Sequence, residues 1–242
     1  MSEKSINILH AEAIIWLSDM GYDEPTDDTQ RNYYGLRSKV KVDKILTNDQ
    51  SNSELKINTL NIEHIDNISD LFKYISLNPL INNIKSKFTF FDGNTDANLM
   101  IIGDKPDIED IKAGKPFQGE SGNLLDAMLQ AIGHNRSNTY FTNMHCLTPE
   151  SSIDLSLQIL YKQINIVNPK VIIMLGAEAV KNLVKTDNGI FNTRGKWFEL
   201  SQPLGKSSIS CISMFHPRYV LVNPQNKKES WTDLKSVRDK VS

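Results

Sequence analysis

Four short runs constrain this chain more than anything else in it. They are NLMIIG at 98–103, TYFTN at Thr139–Asn143, VIIML at Val171–Leu175 and ISCISM at Ile209–Met214. Each is only five or six residues long, and all but TYFTN, which has Tyr140 and Phe141 between polar residues, are mostly apolar. Runs of that length read as strands buried on both faces. Between them the period changes to that of a helix. Residues 121–132 put Leu124, Leu125, Met128, Leu129 and Ile132 inward, and Ile153–Val167 is closed by Pro169. A short helix over Ala177–Val184 follows the third strand, and residues 229–241 carry Trp231, Leu234, Val237 and Val241 on one stripe. Strands alternating with helices predict an α/β fold: a three-layer α/β/α sandwich around a central, mostly parallel sheet.

The N-terminal part reads differently. Ile6, Leu9, Ala13, Trp16, Leu17 and Met20 share one helix face, and Gly21 suits its end. Residues 22–57 are polar, with a charge-rich stretch from Arg37 to Lys44. The expected organisation is an N-terminal helix plus polar linker over 1–57 and one folded domain over 58–242. No internal repeat is visible.

Bulk composition narrows the class only a little. With 242 residues and 39% hydrophobic side chains the chain can bury a substantial core. Its net charge of -2 gives no global sign of nucleic-acid binding, so any such contact needs a local basic surface. Cys146 and Cys211 form no CxxC pair and suggest neither a disulfide framework nor a metal site. No apolar run approaches the roughly 20 residues of a membrane span. The opening MSEKSINILHAEAIIWLSDMG has acidic residues and no cleavage signal, so a cytoplasmic, membrane-free protein is expected.

The chemistry gathers after the strands. The first run leads into Gly103-Asp104-Lys105-Pro106-Asp107 and then Glu109-Asp110; the second ends in Asn143; the fourth leads into His216-Pro217. In a parallel sheet those carboxyl ends lie along one edge, where sites form. Each residue also has a structural reading. Acidic residues after strands cap helices, Asn forms turns, and a His before Pro can be a packing residue.

Taken in order, these segments resemble family 4 of the uracil-DNA glycosylases. The residues that carry the likeness are the Gly103-to-Pro106 loop with its acidic pair, GKPFQGESGNLLDAML from Gly114 to Leu129, and Tyr140-Phe141-Thr142-Asn143. They continue through Pro169 to Ala179, the RGKW of Arg194 to Trp197, and the stretch from His216 through Pro224, Lys227 and Trp231 to Leu234. The likeness spans about residues 68 to 241. Family 4 holds a four-iron, four-sulfur cluster through four cysteines. Here the corresponding positions fall near Ile75, Asn78, Cys146 and Ser156, so only one thiol remains and neither metal nor cofactor is expected. The loop after Cys146 is also reduced to Leu147-Thr148-Pro149-Glu150.

The resemblance implies a monomer that releases uracil from DNA after flipping the nucleotide out of the stack. It implies that Gly103, Lys105, Asp107, Phe117 and Asn143 line the substrate pocket, with Phe117 stacking on the base and Asn143 recognising its O4 and N3–H. His216 would donate to O2 of the departing base. Asp104 or Asp110 would steady the sugar cation and orient water, and the choice between them stays open. Lys105 and Asp107 could instead pair with each other and plug the pocket. Arg194, Arg218, Lys227 and Lys228 are the expected phosphate contacts, with Arg194 alternatively fixing the RGKW turn. A second implied class is a DNA- or nucleobase-binding protein on the same fold that does not cleave. A plain nucleotide-binding domain fits less well, because GxGxxG and P-loop motifs are absent.

Overall fold

The computed structural model describes residues 60–78, 81, 88–147, 152–201 and 208–241. The expected N-terminal helix on Ile6 to Met20 and the linker lie outside them.

Four strands make the centre: β2 (Leu99–Gly103), β3 (Thr139–Asn143), β4 (Val171–Leu175) and β6 (Ile209–Met214). They pair in parallel in the order β3-β2-β4-β6. Two short antiparallel strands close the edges, β1 (Asp92–Gly93) on β3 and β5 (Trp197–Leu200) on β6. The sheet is therefore six-stranded and mixed, with a parallel core. Side chains alternate through it. Leu99, Ile101, Phe141, Ile173 and Ile212 face one way, while Met100, Ile102, Tyr140, Ile172 and Cys211 face the other.

Each face is covered by helices. On one side lie α1 (Ile68–Leu77), α4 (Ile153–Val167) and α5 (Ala177–Val184), which bury Leu71, Ile159 and Val180 against the Met100 face. On the other lie α3 (Glu120–Gln130) and α8 (Lys227–Val241), which bury Leu125, Leu129, Leu234 and Val237 against the Leu99 face. The expected three-layer α/β/α sandwich is what forms. Three shorter helices, α2 (Ile108–Ala113), α6 (Ile190–Thr193) and α7 (Pro217–Val222), join the layers. A 3₁₀ turn over Pro224–Asn226 leads into α8.

Local chemistry accounts for the boundaries. The Asn67 side chain accepts the Asp70 N–H at the start of α1, and the Ser152 side chain accepts that of Leu155 at the start of α4. Asn168 ends α4 in the left-handed conformation, one residue before Pro169.

The sequence reading of α8 needs one correction. Its helical stripe was expected to bury Trp231, but Trp231 is 39% exposed. The buried residues are Ser230, Asp233, Leu234 and Val237. The buried face is thus rotated toward 230, 233 and 237, because Asp233 turns inward to meet an arginine from the turn before β5. Leu234→Ala should cost about 2–5 kcal/mol, the range for a buried leucine. Trp231→Ala should cost distinctly less, and urea unfolding of the two variants measures the difference.

Candidate functional site

Parallel pairing sends every central strand's carboxyl end to one edge, and β2 and β4 are adjacent there although β3 comes between them in sequence. That is a reversal point in strand order, where a crevice opens between diverging connections. The ladder continues past the strands: Met144 N–H donates to Gly103 O at 2.7 Å, His145 N–H to Asp104 O at 3.0 Å, and Gly176 N–H to Met214 O at 3.1 Å. These bonds fix the loops that carry the polar groups.

Gly103, Asn143 and Phe117 meet in one place. A Cβ on Gly103 would lie 2.4 Å from Asn143 Oδ1 and 2.7 Å from Phe117 Cζ, so only glycine permits the approach. Asn143 is buried, and its Nδ2 has no hydrogen-bond partner among the described residues. A buried amide donor left without a partner costs roughly 1–3 kcal/mol, a cost that a hydrogen-bond acceptor placed there would remove. Phe117 is also buried and has φ +57°, a left-handed conformation that disfavours a side chain by about 1–2 kcal/mol. Its ring lies 6.0 Å from that of His216, centroid to centroid, with 25° between the planes.

His216 caps α7: its Nδ1 accepts the Arg218 N–H at 3.2 Å. That bond places the ring proton on Nε2. Burial pulls the imidazole down to about 4, so the ring is neutral near pH 7 and offers one N–H. Asp104 occupies the crevice between β2 and β4. Its Oδ1 accepts the Ala179 N–H at 2.7 Å from the first turn of α5. Gly176, at φ +100°, makes room for it, since a Cβ there would fall 2.1 Å from Asp104 Oδ2. Burial lifts the Asp104 carboxyl to about 7; the Ala179 N–H works against the rise and the negative charge of Glu178 adds to it.

Asp110 sits differently. Its Oδ1 accepts the Gln118 N–H at 2.7 Å and its Oδ2 the Asp107 N–H at 3.0 Å, so both oxygens are engaged by backbone. Lys105 and Asp107 do not pair with each other. Lys105 Nζ lies 3.7 Å from Glu178 Oε2, and Asp107 is bonded to Arg218. The alternative of a Lys105–Asp107 plug gives way to two separate ion pairs, because Glu178 and Arg218 lie on the helices that follow β4 and β6. Arg194 binds Asp233 on α8 at 2.6 Å and the Glu229 carbonyl at 3.2 Å, an arrangement that fixes the RGKW turn. Lys227 and Lys228 are exposed at the start of α8. A cleft of about 260 Å³ lined by Asp96, Asn98 and His134, among others, lies at the sheet's opposite edge and holds none of these groups.

Sequence reasoning missed three participants. Glu178 bonds the buried His145 at 2.7 Å and is held below its ordinary carboxylate range by His145 and Lys105, although burial alone would raise it. Gly176 admits Asp104. Arg136 donates to the Phe117 carbonyl at 2.5 Å. Arg136 stands outside any periodic pattern or quoted segment, whereas Gly176 and Glu178 both lie in the Pro169-to-Ala179 segment, which gives no sign of what they touch.

The sequence profile of the uracil DNA glycosylase superfamily matches residues 90–235. A type-4 uracil-DNA glycosylase of Thermotoga maritima is 31% identical over 173 residues, covering 68% of this chain and 87% of that protein. One from Archaeoglobus fulgidus is 31% identical over 156 residues, covering 60% and 77%. One from Saccharolobus solfataricus is 32% identical over 164 residues, covering 62% and 74%. An iron–sulfur cluster does not fit the residues present. Ile75 and Ser156 are buried without thiols, and burial pushes the Cys146 thiol up to about 12, away from the thiolate a cluster requires. No group of three metal-ligating side chains occurs among the described residues.

The depressed His216 has a sign that can be checked. Its folded pKa is below the unfolded value of about 6.5, so its contribution to stability is present above 6.5 and is lost as pH falls through about 4. Nitrogen-detected NMR should show a neutral, Nε2-protonated ring at pH 6. A charged ring at that pH would contradict the assignment.

Proposed function

The chain belongs to the uracil DNA glycosylase superfamily, and from that premise we propose that it hydrolyses the N-glycosidic bond of uracil in DNA, releasing uracil and leaving an abasic site. The observation that carries this reading is the unpartnered Asn143 amide, buried beside the Phe117 ring. A carboxamide presents a donor and an acceptor together, which match O4 and N3–H of uracil; cytosine presents the opposite pattern at those atoms. The nucleotide reaches this depth only when flipped from the duplex.

As the glycosidic bond breaks, its electrons go to the base and charge gathers on O2. The neutral His216 donates there through Nε2–H. One donor of that kind is worth roughly 10²–10³ in rate. The sugar becomes cationic at C1′, and water adds to it and loses a proton. Asp104 is the carboxylate we assign to that step, because both oxygens of Asp110 already serve the backbone. Its carboxyl near 7 suits a base working at neutral pH. Phosphate contacts come from Lys227, Lys228 and Arg218, the last by exchanging Asp107 for DNA. Gly103 provides the close backbone approach. Lys105 and Asp107 border the pocket through their ion pairs. Release of uracil would place the protein in base-excision DNA repair.

A non-cleaving binder on the same fold is the second reading. Its support is the charged Gly103-to-Asp107 loop, which sets the Lys105–Glu178 and Asp107–Arg218 ion pairs at the border of the pocket.

Single-turnover cleavage and affinity measurements on uracil-containing and plain DNA separate the two. Wild-type protein should release uracil. Asn143→Asp should lose uracil selectivity, and His216→Ala should slow cleavage about 10²–10³-fold with DNA binding nearly intact. Binding of the uracil strand without release would establish the second reading. The cleavage rate should also rise with pH through an inflection near 7, where Asp104 ionises, and that inflection should vanish in Asp104→Asn.

A further inference from the structure

Phe117 holds an unfavourable backbone conformation on a loop, and something must hold it there. Two side chains from different elements do. The peptide unit between Phe117 and Gln118 has its carbonyl bonded by Arg136 Nη2 at 2.5 Å and its N–H bonded by Asp110 Oδ1 at 2.7 Å. Opposite charges thus grip opposite ends of one peptide dipole. Arg136 is itself fixed on every side. Its Nε lies 3.0 Å from both oxygens of Asp126 on α3, and its Nη1 is 2.7 Å from Asp92 on β1. The guanidinium also lies 4.9 Å from the centre of the Phe141 ring, which in turn meets Phe117 edge-on at 6.1 Å. Gly122 completes the fit: a Cβ there would lie 1.9 Å from the Phe117 carbonyl oxygen.

We propose that Arg136 is a positioning residue for the base pocket, which with Asp110 clamps the Phe117–Gln118 peptide from both sides and so fixes the ring that stacks on the flipped base. This rests on reading Phe117 as the stacking wall. The physical basis is geometry. Only a planar guanidinium has enough donors in a fixed fork to reach Asp126, Asp92 and the Phe117 carbonyl together. Lysine keeps the charge and cannot span the three. The clamp acts without touching substrate, so its removal leaves Asn143 and His216 in place and misplaces only the ring. A misplacement of that kind is expected to slow bond cleavage about 10–100-fold.

Two measurements on the full chain test this. In the first, Arg136→Lys and Phe117→Ala are combined in a double-mutant cycle on the maximal single-turnover rate. Arg136→Lys should lose about 10–100-fold in the wild-type background, and less than about twofold when Phe117 is already alanine. Multiplying losses would show that Arg136 acts elsewhere and would overturn the proposal. In the second, the protein is labelled with 4-fluorophenylalanine, and the fluorine resonance that disappears in Phe117→Leu is followed. It should shift or broaden in Arg136→Lys and in Asp110→Asn, while the resonances other than those of Phe117 and the adjoining Phe141 stay and report an intact fold. An unmoved resonance would overturn the clamp whatever the activity. Wild-type protein that releases no uracil would sink the glycosylase reading alone, because the fluorine signal needs no substrate.

Discussion

Parallel pairing of four buried strands is the constraint on which the rest of this molecule depends. A parallel strand cannot be joined to its neighbour by a tight turn, so each connection must travel back across a face of the sheet. The helices that make those crossings cover both faces, and every strand's carboxyl end is delivered to the same edge. Because β3 and β4 leave β2 on opposite sides, the connections part at that edge. Gly103, Asp104, Asn143 and His216 stand there as a consequence of topology, although more than a hundred positions separate the first from the last.

The same groups do structural work at that edge. His216 caps α7, Asp104 receives an N–H from the first turn of α5, and Asp110 ties the start of α2 to the loop after Phe117. Capping and turn-fixing are the structural readings that the sequence offered for the acidic residues, whereas His216, read as a packing residue, is a helix cap. A cap fixes an atom's position and orientation. For His216 it also selects the tautomer, since the ring nitrogen that accepts the Arg218 N–H leaves the other as donor. The cap thus fixes the position and tautomer on which the proposed chemistry relies.

Charge is organised in pairs around the centre. Lys105 meets Glu178, Asp107 meets Arg218, and Arg194 meets Asp233. The two groups assigned to chemistry, Asp104 and His216, are displaced toward neutrality by burial. An environment that favours neutral forms gives a carboxyl poised near neutral pH and an uncharged imidazole donor, and each follows from desolvation as the leading cause.

The strands, the larger helices and the layered architecture were legible in the sequence because they rest on periodicity, which is local. β3, β4, β6 and α4 begin and end where their apolar patterns and Pro169 indicate. The family motifs also named residues that converge, because a strand end followed by a polar loop is a local signal with a fixed place in a parallel sheet. Only tertiary structure decided the partners. Which face of α8 is buried depended on Arg194 drawing Asp233 inward and leaving Trp231 at the surface. Lys105 and Asp107 turned to Glu178 and Arg218, which lie 73 and 111 residues away in sequence. Arg136 reached Phe117 across 19 residues from a loop with no pattern at all. Hydrogen bonds and ion pairs between distant residues depend on distances of a few ångströms set by the packing of whole layers, and a linear pattern of polar and apolar residues carries no record of them.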